Sequence, residues 1–462
     1  MAIDLVAVVD AGKTYAKLFV LDAASEEIVW SRQRPNEVIT TSPVRQLDIR
    51  GIETWLLREL AAAPGKENIR CIVPVAHGAA AVLVDQDGNI LAAPDYEDAT
   101  FESTREPYAL ARDTFEHTFS PQLPLGLNLG AQLYYLEAEH PHLFRQVAHV
   151  LLLPQFFAWR LSGVMASEIT SLGCHTDLWR PLERDFSKLA KNRGYAGRFP
   201  PLSNASDVLG PIRQSIAASA GLDPGCKVLC GIHDSSASYL AHLCNRSEDS
   251  PFAVVSSGTW TIAMASDPDL RKLRQERDML ANIDAFGAPV ATARFMGGRE
   301  YEAIVGDHDI KSTPTPASLS RVLDQNAMAL PSFVTGGGPF PHHEGRLLRS
   351  ERLDPSARAA LGTLYVALVV DAMLDMLEAR GDLVIDGPLA RNPLFAPIVA
   401  ALRPASSVQL GDSFSGAVSG GLALARGTRC GNLVRDQGTA VEPLAMEGLQ
   451  AYREQWRECV LS

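Results

Sequence analysis

Residues 6–22, VAVVDAGKTYAKLFVLD, open with an apolar run, pass through a small-residue turn and then alternate: Ala16, Leu18 and Val20 fall on one side, Lys17, Phe19 and Leu21 on the other. A period of two predicts a strand, so the turn predicts a β-hairpin rather than the strand-to-helix switch of a P-loop. The pattern continues with a third strand near 30–38, a helix over 51–63, and a strand over 70–75 that ends in Ala76-His77-Gly78. A hairpin follows over 81–85 and from 90 onward, turning at Asp87-Gly88. Residues 99–148 read as polar-rich helix broken at Pro107, Pro121 and Pro124, and 149–163 as a short strand and an amphipathic helix. After a basic, loop-rich passage over 180–211, the expected elements are a helix (212–221), a strand (227–231) and a helix (234–243).

Residues 245–251, NRSEDSP, contain no large apolar side chain and read as a linker. The pattern then begins again: a strand over 252–256, the polar turn Ser257-Gly258-Thr259, and a strand over 260–265. This is a weak internal duplication of architecture, with two lobes and a hinge near 245–251 that would set two phosphate-facing hairpins opposite one another. Further on, 356–380 reads as a long amphipathic helix, 382–386 as a strand entering Gly387-Pro388, 392–402 as a helix and 408–410 as a strand. In the helix over 415–425, Gly416, Ala417, Gly420 and Gly421 permit close approach to a neighbour or to a nucleotide. Strands alternating with helices predict an α/β architecture with mixed sheets.

The 462-residue length implies two or three domains, and the boundaries expected are 1–246 and 247–462. With 46% hydrophobic and 21% charged residues the composition is ordinary for a soluble globular protein. A net charge of −12 argues against nucleic acid or an anionic membrane as partner. The seven scattered cysteines read as buried free thiols in a reducing compartment, and Cys226 and Cys230 lack a second pair at zinc spacing. With no signal-like N-terminus and no apolar run approaching ~18–20 residues, a cytoplasmic location is expected. Length gives no count of subunits, and a homodimer stays open.

The hairpin turn gathers backbone N–H groups from Gly12 to Thr14, the Thr14 hydroxyl, the Lys13 ammonium and the Asp10 carboxylate. Such a set suits a magnesium-bound polyphosphate. The plainer reading is a tight turn in which Asp10 and Thr14 are only turn residues. Asp234 lies where a strand gives way to a helix and would serve either as an N-cap or as an acid facing the interlobe cleft.

VDAGKTYAKL, LLLPQFFAWRLSG, GIHDSSAS, SSGTW and DGPLARNPLF, in this order from residue 6 to about 425, resemble the motifs of the FGGY family of carbohydrate kinases, in particular its rhamnulokinases and related ketose kinases. The resemblance implies two ribonuclease-H-like domains of the actin and sugar-kinase type, with an interdomain active-site cleft. It implies transfer of the ATP γ-phosphoryl group to a ketose hydroxyl with Mg2+, the ketose being a deoxyhexulose such as rhamnulose or fuculose, or a pentulose such as xylulose or ribulose. By the same resemblance Asp234 is the base, Asp10 the magnesium-side carboxylate, and Gly12, Lys13, Thr14, Lys17, Gly258 and Thr259 the phosphate contacts. Gly387 and Asn392 fall on the nucleoside side, and His77, Gly78 and His233 on the sugar side.

Asn128 and Gln132 fall where the family has sugar contacts, although a solvated helix face explains them better. Either histidine is also readable as a buried structural residue, and Lys17 as pointing to solvent. Three features depart from the pattern: the cation at Lys13, the sequence Asp95-Tyr96-Glu97-Asp98 where Asp-x-Arg is usual, and Asp386-Gly387-Pro388 in place of a glycine run. The glycine-rich loop 335–346 lines the cleft or is a surface turn. These departures keep open a non-catalytic, actin-like nucleotide switch or sugar-binding regulator.

Overall fold

The computed structural model describes residues 4–40, 43–244, 250–306, 312–334, 337–411, 416–427 and 438–461. The expected linker lies largely outside these residues. The chain forms two compact units. The first comprises the described residues of Met1–Cys244, Ala281–Pro289 and Phe414–Leu433, and the second those of Asn245–Leu280, Val290–Ser413 and Val434–Ser462. This division crosses the chain more often than a single cut at 246/247, because the helix near residue 420 completes the core of the first unit.

The elements that build the first unit are β1 (Leu5–Ala11), β2 (Tyr15–Asp22), β3 (Ile28–Pro35), α1 (Ile49–Ala62), β4 (Ile69–Ala76), α2 (Leu153–Ser162), α3 (Ile169–Leu172), β5 (Val208–Pro211), β6 (Lys227–Leu229), β7 (Ile232–His233) and α4 (Asp234–Leu243). Their sheet runs β5-β6-β4-β1-β2-β3, with β7 also paired to β4. The β1–β2 hairpin is antiparallel, whereas β4 runs parallel to β1, β6 and β7.

Every residue of β1 is buried, so both faces of the sheet are covered. Leu5, Ala7, Val9 and Ala11 pack with Ile52, Trp55 and Leu56 of α1 and Phe156 and Phe157 of α2. Val6 and Val8 face the opposite way and pack with Ala237 and Leu240 of α4 and with Val418 and Leu422. Each such valine or leucine contributes about 1.5–3 kcal/mol on burial. Alternation therefore sends Asp10 to the α4 side of the sheet.

In the second unit β8 (Phe252–Ser256) and β9 (Thr261–Ala265) form a hairpin, and β10 (Pro289–Phe295) pairs with β9. Helix α5 (Gly297–Val305) follows β10, and α6 (Pro355–Met376) precedes β11 (Asp382–Asp386) and β12 (Val408–Leu410). The sheet path β10-β9-β8-β11-β12 has antiparallel pairs on one side of β8 and parallel pairs on the other. This is the order of β3-β2-β1-β4-β6 in the first unit, so the duplication is one of topology.

Helix α6 departs from expectation. It is buried around its whole girth, from Ala359 and Leu361 to Thr363 and Tyr365, rather than along one stripe. By length and composition its 22 residues would suffice to cross a membrane, and 83% of the relevant window is buried, as in a core helix. Its fully buried Asp371 accepts from the guanidinium groups of Arg403, Arg453 and Arg457, which supplies the pairing a buried charge requires.

Helix α7 (Gly416–Ala425) packs on α4. Gly416 backs onto Ser238, Gly420 onto the Ala237 carbonyl, and Gly421 meets Val8 and Val75 of the sheet. The small residues thus serve helix and sheet packing. A Cβ on Gly420 would overlap Ala237 O of the α4 backbone. Gly420→Ala is therefore expected to destabilise the first unit by about 1–3 kcal/mol, the usual penalty of overpacking, read as a lower denaturant midpoint with an unchanged slope.

Candidate active site

The parallel register sets three chain ends side by side: Ala11 is opposite Ala76, and Ala76 is opposite His233. Asp10, His77 and Asp234 consequently collect at the carboxyl ends of β1, β4 and β7, the end of a parallel sheet where ligands bind. His77 N–H continues the ladder to Ala11 O (3.2 Å).

Asp10 is 5% exposed, and its β-ladder partner on β2 is Lys17, whose Nζ lies 3.4 Å from Asp10 Oδ2. Lys17 thus turns toward the carboxylate rather than out to solvent. Burial pushes the Asp10 pKa up to about 6; Lys17 pulls the other way and Asp234 adds to the rise. Among the described residues no three His, Cys, Asp or Glu side chains group to hold a metal. Magnesium commonly takes one or two protein carboxylates and fills its shell with water and phosphate oxygens, and a single buried carboxylate fits that pattern.

Asp234 is the first residue of α4, and His233 rather than Asp234 occupies the N-cap position. Its Oδ1 accepts from Ser235 N–H (2.6 Å) and the Ser235 hydroxyl (3.2 Å) and lies 3.1 Å from His233 Nε2. Among the described residues nothing donates to Oδ2. The side chain keeps 33% exposure, yet crowding by protein raises its pKa, against the pull of His77, Ser235 and Lys17. Burial lowers His233 to about 4 and also lowers His77, so both are neutral imidazoles at physiological pH. His233 Nε2 is 3.3 Å from Cys174 Sγ and its Nδ1 3.3 Å from Ser236 Oγ, while Ser236 donates to Ile283 O (2.9 Å). The Gly78 Cα faces Cys174 and His233 directly.

The backbone beneath Asp234 hangs on three fully buried polar side chains without a local sequence signal. Gln155 Nε2 donates to the carbonyls of Cys230 and Gly231 (3.1 Å each). Thr170 Oγ1 accepts from His233 N–H (3.1 Å) and donates to Glu168 Oε2 (2.6 Å). Glu168 caps α3 through Thr170 N–H and Ser171 N–H. Gly231 holds φ at +87° with its Cα against the Pro74 carbonyl, so a side chain is excluded there twice over.

Asn128 and Gln132, expected on a solvated face, are both 0% exposed. Asn128 Nδ2 donates to Ser120 Oγ and to the carbonyls of Pro121 and His175; Gln132 Nε2 donates to Ala79 O and Gly126 O. They brace loops next to His77.

In the first turn, Gly12 N–H is used internally on Tyr15 O (3.0 Å). Asn36 clamps the turn by donating to Gly12 O and Thr14 O, leaving the Thr14 side exposed. Lys13 pairs with the buried Asp95.

In the second unit, Ser257 ties the second turn to the following loop: its hydroxyl donates to Asp386 O (2.8 Å) and accepts from Leu389 N–H (2.9 Å). Gly258 and Thr259 line a cavity of about 390 Å³ together with Gly298, Arg299, Tyr301, Glu302, Pro388 and Leu389. Gly387 has φ +85° and backs onto Ser257 O beneath it. Asn392 is engaged elsewhere, donating to Thr363 Oγ1 (2.9 Å) and accepting from Leu394 N–H. The α5 residues in this cavity carry no recognisable motif. In the loop 335–346, residues 335–336 lie outside the described set; Phe340 packs on Trp456, and His343 Nε2 meets Val460 O (2.8 Å), so the loop's described part docks on the C-terminal helix Leu449–Leu461.

Burial raises Glu168 from 4.5 to about 7, against its hydrogen bonds from Thr170 and Ser171. The folded state therefore holds a proton that the unfolded chain releases, and this stabilisation, complete below about 4.5, is lost as pH rises through about 7. Glu168→Gln should flatten this part of the pH dependence of unfolding free energy; equal slopes for both proteins would contradict it.

Comparison with known proteins matches this organisation. The model of the FGGY family of carbohydrate kinases, N-terminal domain, fits residues 5–241, and that of carbohydrate kinase FGGY, C-terminal domain, fits residues 249–432. A carbohydrate kinase from Novosphingobium aromaticivorans is similar over 100% of this chain and 99% of its own, at 36% identity and a TM-score of 0.90. The ligand-bound xylulose kinase from Lactobacillus acidophilus shares the fold, with a TM-score of 0.79 at 14% identity over 99% of this chain and 98% of that one. An L-fuculokinase of Escherichia coli K12 is 29% identical over 230 residues, 47% of this chain and 46% of that protein, so the chain spans about half the length of the curated relatives it matches. Matched by both domain models and repeating one ribonuclease-H-like sheet order in two units, the chain belongs to the FGGY family of carbohydrate kinases.

Proposed function

We propose that the protein is an ATP-dependent kinase that phosphorylates a hydroxyl of a ketose, a deoxyhexulose such as fuculose or rhamnulose or a pentulose such as xylulose. The observation that carries this reading is the Asp234 carboxylate, fixed through Oδ1 with Oδ2 receiving no donor among the described residues, beside Asp10 and two histidines at the ends of parallel strands. The partial match to L-fuculokinase favours the deoxyhexulose, and the xylulose kinase fold keeps the pentulose in range.

In this mechanism Asp234 Oδ2 accepts the sugar hydroxyl proton as that oxygen bonds to the γ-phosphorus and the bond to the β-phosphate oxygen breaks, leaving ADP. Position matters more than basicity, since phosphoryl transfer is largely dissociative. His77, whose Nδ1 meets Gly78 O, offers its Nε2 to a sugar hydroxyl, and His233, engaged at both ring nitrogens, positions Asp234 beside it. Magnesium, when bound, neutralises charge on the phosphates, and Asp10 is the residue that would hold it. The cavity at Gly258, Thr259 and Pro388 suits the nucleotide. The six described cysteines form no disulfide with one another, in keeping with a cytoplasmic setting.

The decisive assay measures ADP release with magnesium and ATP against ketoses, aldoses and polyols. Sugar-stimulated turnover is expected, and its absence across the panel would select a nucleotide switch. Asp234→Asn should lower kcat by about 10²–10⁴-fold with nucleotide affinity retained; wild-type turnover in this variant would remove Asp234 as base. Thr170→Val, which unhooks His233 N–H, should cut kcat by about tenfold or more at nearly unchanged KM, and Thr170→Ser should restore most of it.

A further inference from the structure

Lys13 sits in the first phosphate turn, but acidic groups of another loop engage its ammonium. It pairs with Asp95 Oδ1, lies 3.5 Å from Glu97 Oε2 and stands over the Tyr96 ring at 4.9 Å from the centroid. Asp95 is 0% exposed, and its second oxygen takes Arg45 Nη2 at 2.8 Å. Burial opposes the Asp95 charge, but Lys13, the Glu97 amide and Arg45 outweigh it and hold the carboxyl below its usual range.

The segment so pinned carries contacts of its own. Glu97 N–H donates to Asp95 Oδ1 (3.1 Å), Gly126 N–H donates to Tyr96 O (2.8 Å), and the Tyr96 ring meets the His77 ring edge-on at 5.6 Å. His77 lies within electrostatic reach of Asp234, His233 and Lys13 alike, and Tyr96 within reach of Asp234. The Tyr96 ring thus places residues 95–97 beside His77, and Glu97, with 52% of its side chain exposed, carries a carboxylate on that segment. Beside that segment three carboxylates, Asp95, Glu97 and Asp234, stand against two cations, Lys13 and Arg45. An acceptor bearing its own carboxylate meets this excess of negative charge, whereas neutral hydroxyls donate to it.

We propose that Lys13 is a specificity-determining residue of the acceptor-sugar side rather than a phosphate ligand: through Asp95 and Glu97 it fixes residues 95–97 as the wall that selects a neutral polyhydroxy sugar over a sugar acid. The proposal rests on the kinase reading above for its substrate, although its binding arm stands without turnover. Lys13→Met in the full chain should raise KM for the ketose about tenfold or more and leave the matching aldonate excluded, whereas Glu97→Gln, which removes a negative charge, should narrow the preference for the ketose over the aldonate. Affinity for ATP without sugar, by titration calorimetry, should change less than about threefold. Glu97→Gln, at a half-exposed position, should reproduce the sugar effect, and Lys13→Arg should retain much of the wild-type selectivity; these two carry the test should Lys13→Met fail to fold. A variant that loses ATP affinity while keeping the ketose KM would return Lys13 to the phosphates and overturn the proposal. If the wild-type chain phosphorylates nothing, the kinase reading fails by itself. Calorimetry with the same sugars then decides: weaker ketose binding by Lys13→Met sustains the proposal, and equal binding ends it.

Discussion

The parallel pairing of β4 with both β1 and β7 is the constraint from which the site follows. Three strands whose carboxyl ends fall at one level bring residues 10, 77 and 234 together although more than two hundred positions separate the first from the last. Alternation then decides which of their side chains face α4. A slip of one residue in β1 would send Asp10 into the apolar layer of Trp55 and Phe156 and would put an alanine or valine in its place. The register is resistant to that slip because both faces of β1 are buried in distinct sets of side chains.

Around this frame Gln155, Asn128 and Gln132 hold buried backbone carbonyls through their amide nitrogens, and Thr170 and Glu168 hold buried backbone N–H groups. Among the described residues Asp234 Oδ2 receives no donor. Low local dielectric strengthens every bond in the supporting layer, so a flexible-looking turn preceding the acid is held from three sides.

Much of this was legible in the chain. The hairpin at 6–22, the strands at 70–75 and 252–256 and the helix at 234–243 follow from periodicity, because one-sided or two-sided burial leaves its imprint on each residue in turn. Longer-range pairing leaves none. Asn128 and Gln132 read as solvated because a polar residue on a helix usually is, and only the fold supplies the carbonyls that bury them. Thr170 is 63 positions from the His233 N–H it holds, and Glu168 reaches that backbone only through Thr170. Helix α6 reads as amphipathic from its leucine spacing, yet the alanines and Thr363 between those leucines are buried as well. Asn392 resembles a ligand residue but is spent on Thr363, and Lys13 follows its nearest carboxylate rather than the glycine turn that carries it.

Helix α7 closes the face of the sheet on which Val6, Val8 and Asp10 lie, yet it follows the second unit's strands up to β12 in the chain. A ribosome that has delivered the first half of the protein has released every strand of the leading sheet but not the helix that shields one side of it. Until roughly another 180 residues emerge, α4 covers that face without the Val418 and Leu422 side chains that complete its packing. The leading unit thus completes its core only after most of the second unit has been made, in contrast to the sequential, domain-by-domain order common in long chains.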